Sequence, residues 1–523
     1  MSKHNVSRHP VAVALTIGLH SLSAGAQPSN PETDIPPNPA LTWSLTDETW
    51  QLPANESMGM VGGRVLMDVS PHWKMGVASY GAMRGNRGGF ITLGAEAQTH
   101  WSLGDHQTLV GNLFVGGGGG RDGRSLAGGG LMVRTSLGLE QHLGAGHHIG
   151  IGMSHVSFPE GRIRSTQPYL SYSYEFPSLL WGGWPNLPTG GTPDLSNTLP
   201  GRNQEFAVVA YDYRLASDAM QDNGTQAQHP RMQLLGAQWL SYFDKHWFFK
   251  IDGAGALGGE SAGYMQILLG GGYRVPLSAR QSLKLHATAG PAGGGATDTG
   301  GGLLTDVGIG WQMRLRAHQS LELSVSDVRA PGRSFVGRNL GIKLVHHLQQ
   351  PDTNGQALSA AMLSGLDVER LRMRLVQQSY QGASPDWRCC YADLPVHNLG
   401  LQLDYMLGPT EKARQWFLTG QGIAAYKGEA GAYMTGLVGA GLRQKLAPRW
   451  SAEVEALIGA AGGGGLRVGG GLVAQTNIGL GYQLTPQVGL LVTAGRMEAL
   501  HGDFKANVLG ASAVYHFSTV TRR

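Results

Sequence analysis

Leu131–Leu143 reads LMVRTSLGLEQHL, and its alternation decides the fold. Leu131, Val133, Thr135, Leu137 and Leu139 fall on one face, and Arg134, Ser136, Gly138, Glu140 and His142 on the other. Successive strand side chains point to opposite faces, so this is a β-strand with one apolar and one polar or small side. The pattern recurs downstream. Leu303, Val307, Ile309, Trp311 and Met313 oppose Asp306, Gly308, Gly310, Gln312 and Arg314. Leu472, Ile478, Leu480 and Tyr482 oppose Gln475, Asn477, Gly479, Gly481 and Gln483.

The recurrence is in register. Glycine-rich stretches at Gly116–Gly130, Gly290–Gly302 and Gly459–Gly471 close on triplets beginning at Gly128, Gly300 and Gly469, steps of 172 and 169 residues. Trp73, Trp247 and Trp416 follow steps of 174 and 169. A repeat of fixed period is the mark of one structural unit used several times. The expected organisation is three units, 27–176, 204–348 and 370–517, joined by linkers 177–203 and 349–369, with a tail 518–523. The second linker contains a possible short helix near Ala357–Leu363. The first unit divides into Leu41–Trp50, Met58–Val69, Trp73–Met83, Phe90–Leu103, Thr108–Gly118, Leu131–Leu143, His147–Ser157 and Pro168–Phe176, which predicts eight strands.

Composition narrows the class. Of 523 residues 81 are glycine, about 15% against a usual ~7%, and charged residues are 15% against ~25% in ordinary soluble domains. No apolar run approaches the ~18 residues of a membrane helix. The glycines cluster rather than recur every third residue, which excludes collagen. The 2 cysteines, Cys389 and Cys390, are adjacent and exclude a multi-disulfide framework or a Cys-rich metal site; their expected role is a turn constraint or none. At the N-terminus, Lys3 and Arg8 precede the apolar Pro10–Leu19 and the small-residue run Ser23–Ala26, which predicts a secretory signal peptide over 1–26. The formal charge of +4 falls by two once Lys3 and Arg8 are removed. That near-neutral balance argues against nucleic acid as a partner.

Strands of about ten residues, apolar outside and polar inside, predict a transmembrane antiparallel β-barrel. A soluble sandwich also alternates, but its core would not hold the mixed charges of the second face unpaired. Trp73, Trp247, Trp416, Phe176 and Phe517 sit at strand ends, as in an interfacial aromatic girdle. Each unit ends on an alternating strand, the last being Leu509-x-Ala511-x-Ala513-x-Tyr515-x-Phe517. That ending resembles the C-terminal insertion signal of Gram-negative outer-membrane barrels, although six residues follow Phe517. The resemblance implies residence in the outer membrane, contact with its lipid and lipopolysaccharide, and delivery by the barrel-insertion machinery. Three eight-strand units allow one 24-stranded barrel or three tandem eight-stranded barrels; the expectation is the single wide barrel, whose merging hides every unit edge.

The expected activity is passive: a pore or export channel for polar, including anionic, solutes or polymers. Its lining would be Arg134, Glu140, Asp306, Arg314, Gln475, Asn477 and the alternating Arg370, Arg372 and Arg374. The alternative for closed, filled units is a non-conducting structural or assembly barrel. No phosphate loop or dinucleotide fingerprint is present; the glycine runs read as extracellular hairpin tips, and neither cofactor nor metal is expected. His155-Val156-Ser157 is the one pair with catalytic potential, since a histidine beside a serine can activate the hydroxyl. It resembles the His-x-Ser of outer-membrane lipid A deacylases, which implies acyl-ester cleavage at the outer leaflet. Phe158 stands where that family has asparagine, and neither Glu160 nor Glu175 is placed to complete a triad. Asp327 with Arg329, and Arg496 with Glu498, occupy the equivalent positions. Polarity at the membrane rim is therefore the expected role, and not catalysis.

Overall fold

A computed structural model describes residues 39–121, 123–184, 201–351, 366–408 and 413–522. The signal-peptide reading and the helix expected near Ala357–Leu363 fall outside them.

The alternating segments pair into three closed antiparallel barrels of eight strands each. The first contains β1 (Ala40–Gln51), β2 (Ser57–Ser70), β3 (Trp73–Arg84), β4 (Ile91–Ser102), β5 (Gln107–Gly119), β6 (Met132–Gly144), β7 (His147–Ser157) and β8 (Arg164–Pro177). A helical turn, α1 (Gly123–Ala127), lies between β5 and β6, and a two-residue strand, β9 (Trp181–Gly182), follows β8. The second barrel contains β10 (Gly201–Leu215), β11 (Arg231–Tyr242), β12 (Trp247–Ala256), β13 (Met265–Pro276), β14 (Gln281–Gly293), β15 (Leu303–Arg316), β16 (Gln319–Arg329) and β17 (Val336–Pro351). The third contains β18 (Leu366–Gly382), β19 (Val396–Leu407), β20 (Arg414–Lys427), β21 (Met434–Lys445), β22 (Trp450–Gly462), β23 (Leu472–Gln483), β24 (Val488–Ala499) and β25 (Lys505–Arg522).

Each barrel closes on itself. Leu45 of β1 is opposite Tyr172 of β8, Tyr211 of β10 opposite Gly341 of β17, and Arg374 of β18 opposite Val514 of β25. This corrects the expectation of one 24-stranded barrel. The physical reason lies in the inward glycines, which leave room for rings from neighbouring strands. A Cβ on Gly62 would sit 2.5 Å from the Tyr80 ring, on Gly272 2.3 Å from Phe248, and on Gly441 2.1 Å from Phe417. The glycines therefore serve a narrow, filled interior rather than an open one, and an eight-stranded barrel is just wide enough for side chains to fill.

The strand ends also differ from expectation. β10 starts before residue 204, β17 runs past 348, and β18 starts before 370. β25 continues beyond Phe517 to Arg522, so Ser518–Arg522 is strand rather than tail. Its extra length is paired twice, with β18 and, at Phe517 and Ser518, with β9.

The predicted faces are realised: Leu137, Ile151, Ile309 and Ile478 stand exposed outside, while Arg134, Asp306, Gln475 and Asn477 are buried inside. Closed barrels with an apolar exterior are one of only two ways to satisfy every backbone group within lipid. This is a transmembrane barrel of the outer-membrane type, and the outer membrane of a Gram-negative cell is its location. Turns at the end carrying each barrel's first and last residues span two to six residues, against five to fifteen at the other end. Short turns mark the periplasmic end and long loops the extracellular end.

Candidate functional site

Two kinds of space define where this chain can act: the three lumens and the junction between barrels. The lumens are crossed by charge. In the first, Arg134 on β6 reaches Glu48 on β1 at 3.0 Å, and that carboxylate also accepts from Ser154 at 2.6 Å and Trp50 Nε1 at 2.8 Å. Arg64 Nη1 donates to Glu96 at 2.8 Å and to Asn112 at 2.9 Å, and Tyr80 donates to the other Glu96 oxygen at 2.8 Å. Glu140 lies 3.8 Å from Arg64.

The second lumen uses lysine. Lys284 on β14 bridges Glu205 on β10 and Glu322 on β16, the latter at 2.9 Å, and Lys343 joins Glu322 at 2.7 Å. Lower in charge density is the neighbouring group, in which Asp306 lies 3.9 Å from Lys250 and 3.1 Å from His286 Nε2. The third lumen returns to arginine. Arg372 and Arg374 on β18 share Asp404 at 3.0 and 2.6 Å, and reach across to β22, where Arg372 meets Glu453 at 2.5 Å and Arg374 meets Glu455 at 3.3 Å. Asn477 donates to Glu455 at 2.8 Å, Gln475 donates to Asn477 at 3.1 Å, and the Phe417 ring lies under both guanidinium groups. A buried guanidinium or ammonium is tolerable only with such partners.

The expected lining residues thus divide. Arg134, Glu140, Asp306, Arg372, Arg374, Gln475 and Asn477 are buried in the lumens, but they face ion-pair or hydrogen-bond partners instead of an open passage. Arg314 shares the inward face of β15 with Gln312, opposite Ser320, and stands exposed at the periplasmic end of the lumen. Arg370 is half-buried at the same level of β18, with its Nη1 toward the Gly408 carbonyl at 3.5 Å. Sequence reading missed Glu48, Glu205, Lys284, Glu322, Asp404, Glu453 and Glu455. The Glu453-x-Glu455 spacing is the complement of Arg372-x-Arg374, a signal available to a search for opposite charges in matching alternation.

The aromatic residues divide as well. Trp73, Trp247 and Trp416 are exposed at the periplasmic ends of equivalent strands. Phe176 and Phe517 instead line the space between the barrels. His155 is exposed on the outer face of β7 and its Nδ1 lies 2.8 Å from Thr166 Oγ1, so the ring is engaged by a hydroxyl across the hairpin. Glu175 is committed to Lys74 at the other end of the barrel.

The junction is a ring. The third strand of each barrel packs against the fifth strand of the next: β3 on β14, β12 on β22, and β20 on β5. Such a head-to-tail contact closes after three copies if the rotation is right. The glycine runs make it possible, because they are where backbones of different barrels meet. A Cβ on Gly81 would lie 2.4 Å from Pro291, on Gly255 2.9 Å from Ala460, and on Gly117 2.7 Å from the Ala424 carbonyl. Gly88 N donates to Gly300 O at 2.7 Å and Gly431 N to Gly128 O at 3.0 Å, linking the first barrel to the second and the third. The glycine tips are therefore not free hairpin tips but the seams of the assembly.

The ring encloses two spaces. At the extracellular side a polar hollow of about 930 Å³ is lined by glycine backbone with Arg121, Arg124, Asp222, Asp298, Arg333 and Glu429. Cys389 and Cys390 lie in the adjacent β18–β19 loop as free thiols with sulfurs 3.0 Å apart. This places them outside the cell, not in the periplasm. The Cys389 hydrogen bond, with Arg124 beside it, holds the Cys390 thiol below its ordinary value, while that same bond and burial push Cys389 up. Below the glycine seams lies an apolar cavity of about 1120 Å³ bounded by all three barrels.

Neither a family model nor a curated protein matches the chain. Among solved structures, Pseudomonas aeruginosa OccK11 (OpdR) is similar at 11% identity and a TM-score of 0.20, over 92% of this chain and 95% of that one. Pseudomonas aeruginosa OpdQ gives 10% and 0.21 over 92% and 97%. The siderophore receptor PirA from Acinetobacter baumannii gives 9% and 0.27 over 92% and 81%. Scores this low reflect strand-by-strand likeness among barrels and carry no argument about the activity of this chain.

Proposed function

We propose that this protein is an outer-membrane barrel assembly whose lumens do not conduct, and that it serves as a rigid three-barrel platform in the membrane. The observation that carries the reading is the charge lattice across each lumen, above all Arg372 and Arg374 bridging β18 to Asp404 on β19 and to Glu453 and Glu455 on β22. A solute passing that level would have to part ion pairs already removed from water, which leaves uncompensated buried charge.

The passive-pore reading needs the same arginines to present unpaired positive charge to a passing anion. Planar-bilayer recording separates the two. The platform reading expects no steady conductance from the folded protein. Ohmic steps whose anion preference fades in Arg372→Gln/Arg374→Gln would overturn it and establish the pore. Hydrolysis is expected to be absent: Ser157→Ala should change nothing, and selective loss of acyl-ester release from lipopolysaccharide would restore the catalytic reading of His155 and Ser157.

A further inference from the structure

The apolar cavity inside the ring has walls made of barrel exterior. Trp43 and Met67 come from the first barrel, Phe206 and Phe249 from the second, Leu403 and Phe517 from the third. Trp43 and Phe249, from different barrels, stack at 5.8 Å with their planes 29° apart. These are the same kinds of side chain that meet lipid elsewhere on each barrel.

Water is a poor occupant. A volume of about 1120 Å³ corresponds to roughly 37 waters at ~30 Å³ each, every one needing two to four polar partners that an apolar wall does not supply. A void of that size would leave its lining side chains without contacts on one side. Residues 27–38, which precede β1, read QPSNPETDIPPN, with Ile35 their one large aliphatic residue.

The position of the cavity selects the source of a lipid occupant. Its extracellular end is shut by the seams at Gly81–Pro291, Gly255–Ala460 and Gly117–Ala424. Its other end reaches Ser178, Gln204 and Gln350, polar residues at the periplasmic level. We infer that the junction is a lipid-binding site that holds the acyl chains of phospholipid drawn from the inner, periplasmic leaflet, with the headgroup at that polar rim. The inference rests on the membrane placement of the barrels and is independent of whether the lumens conduct.

Two glycines allow a clean test. A Cβ on Gly63 or Gly422 meets nothing within 4 Å, and both line the cavity. Leu137, on the exposed outer face of β6, is not among the residues that line it. The protein is refolded into phosphatidylethanolamine–phosphatidylglycerol vesicles in which one acyl chain carries a diazirine, then irradiated and mapped by mass spectrometry. Heat-modifiable gel mobility reports barrel closure for each variant, so loss of the barrel itself is seen separately. The expected result is cross-linking at Met67, Phe249 and Leu403 that survives detergent extraction. It should fall by an order of magnitude in Gly63→Trp/Gly422→Trp and stay unchanged in Leu137→Trp. Cross-links confined to bilayer-facing positions such as Ile151 and Ile309 in the unmodified protein would overturn the proposal. Protein-to-protein cross-linking that puts residues 27–38, 185–200 or 352–365 in the cavity, or equal labelling in the double variant and its control, would do the same.

Discussion

Within each barrel the walls are polar and the space is taken; between the barrels the walls are apolar and the space is open. The two regions are built from opposite faces of the same strands. Gly62 points into the first lumen, where the Tyr80 ring occupies the room it leaves, and Gly63, its neighbour, points into the junction and meets nothing. The difference teaches that glycine has two uses here. On the inner face it admits a neighbour's ring, and at the extracellular strand ends it admits a neighbour's backbone.

The comparison breaks most forcefully in the third lumen. Asp404 serves both Arg372 and Arg374, and all three side chains are almost wholly buried. Asp404→Ala removes the shared partner and is expected to destabilise the barrel by about 3–5 kcal/mol. The measurement is the urea midpoint for loss of the compact, heat-modifiable form; an unchanged midpoint would mean that water reaches these arginines and the lumen is open.

Next come the two glycine uses. Gly62→Ala puts a Cβ against Tyr80, and Gly462→Ala puts one 2.1 Å from Gly263 N across the seam between the second and third barrels. Each should cost about 1–3 kcal/mol by overpacking, but with different readouts. The Gly62 variant should lower the midpoint of the first barrel. The Gly462 variant should instead let the third barrel part from the other two after proteolytic cleavage in residues 352–365, as seen by native electrophoresis. Gly63→Ala should change stability by no more than about 0.5 kcal/mol, and a loss like that of Gly62→Ala would show that the junction is as tightly packed as the lumen.

The smallest effect is local to the extracellular rim. Because the thiolate is the reactive form, maleimide alkylation should reach half-maximal rate below the ordinary thiol value of 9.0 at Cys390 and above it at Cys389. As pH rises, Cys390 therefore reacts first. Arg124→Gln should raise the Cys390 midpoint and leave barrel stability unchanged, with peptide mapping across a pH series as the check.

Much of this architecture is legible in the chain. Period-two alternation in Leu131–Leu143 and its counterparts states which side chains go in and which go out, because the pleat permits nothing else. What alternation does not contain is closure. Leu45 meets Tyr172, and Tyr211 meets Gly341, through pairings between the first and last strands of a unit. An equally alternating strand could have paired with the next unit instead. The partners of the lumen arginines are hidden for a related reason: Arg374 is separated from Glu455 by 81 residues, and only the closed circumference sets them face to face. The glycine runs are visible as repeats, yet their role depends on a neighbour lying in another unit. That is why they read as loop tips and proved to be seams.

The ring has three seams, whereas the chain between Pro39 and Arg522 supplies two tethers, one between the first and second barrels and one between the second and third. The seam of β20 on β5 is therefore held by contact alone. It nevertheless forms at the effective concentration set by the other two, since a tether turns association into an intramolecular step. Bound on two sides, the third barrel gains avidity that a free copy would lack. A sequence change that weakens this seam is thus buffered in the intact chain and exposed only when a tether is cut, which leaves the untethered seam the freest of the three to drift.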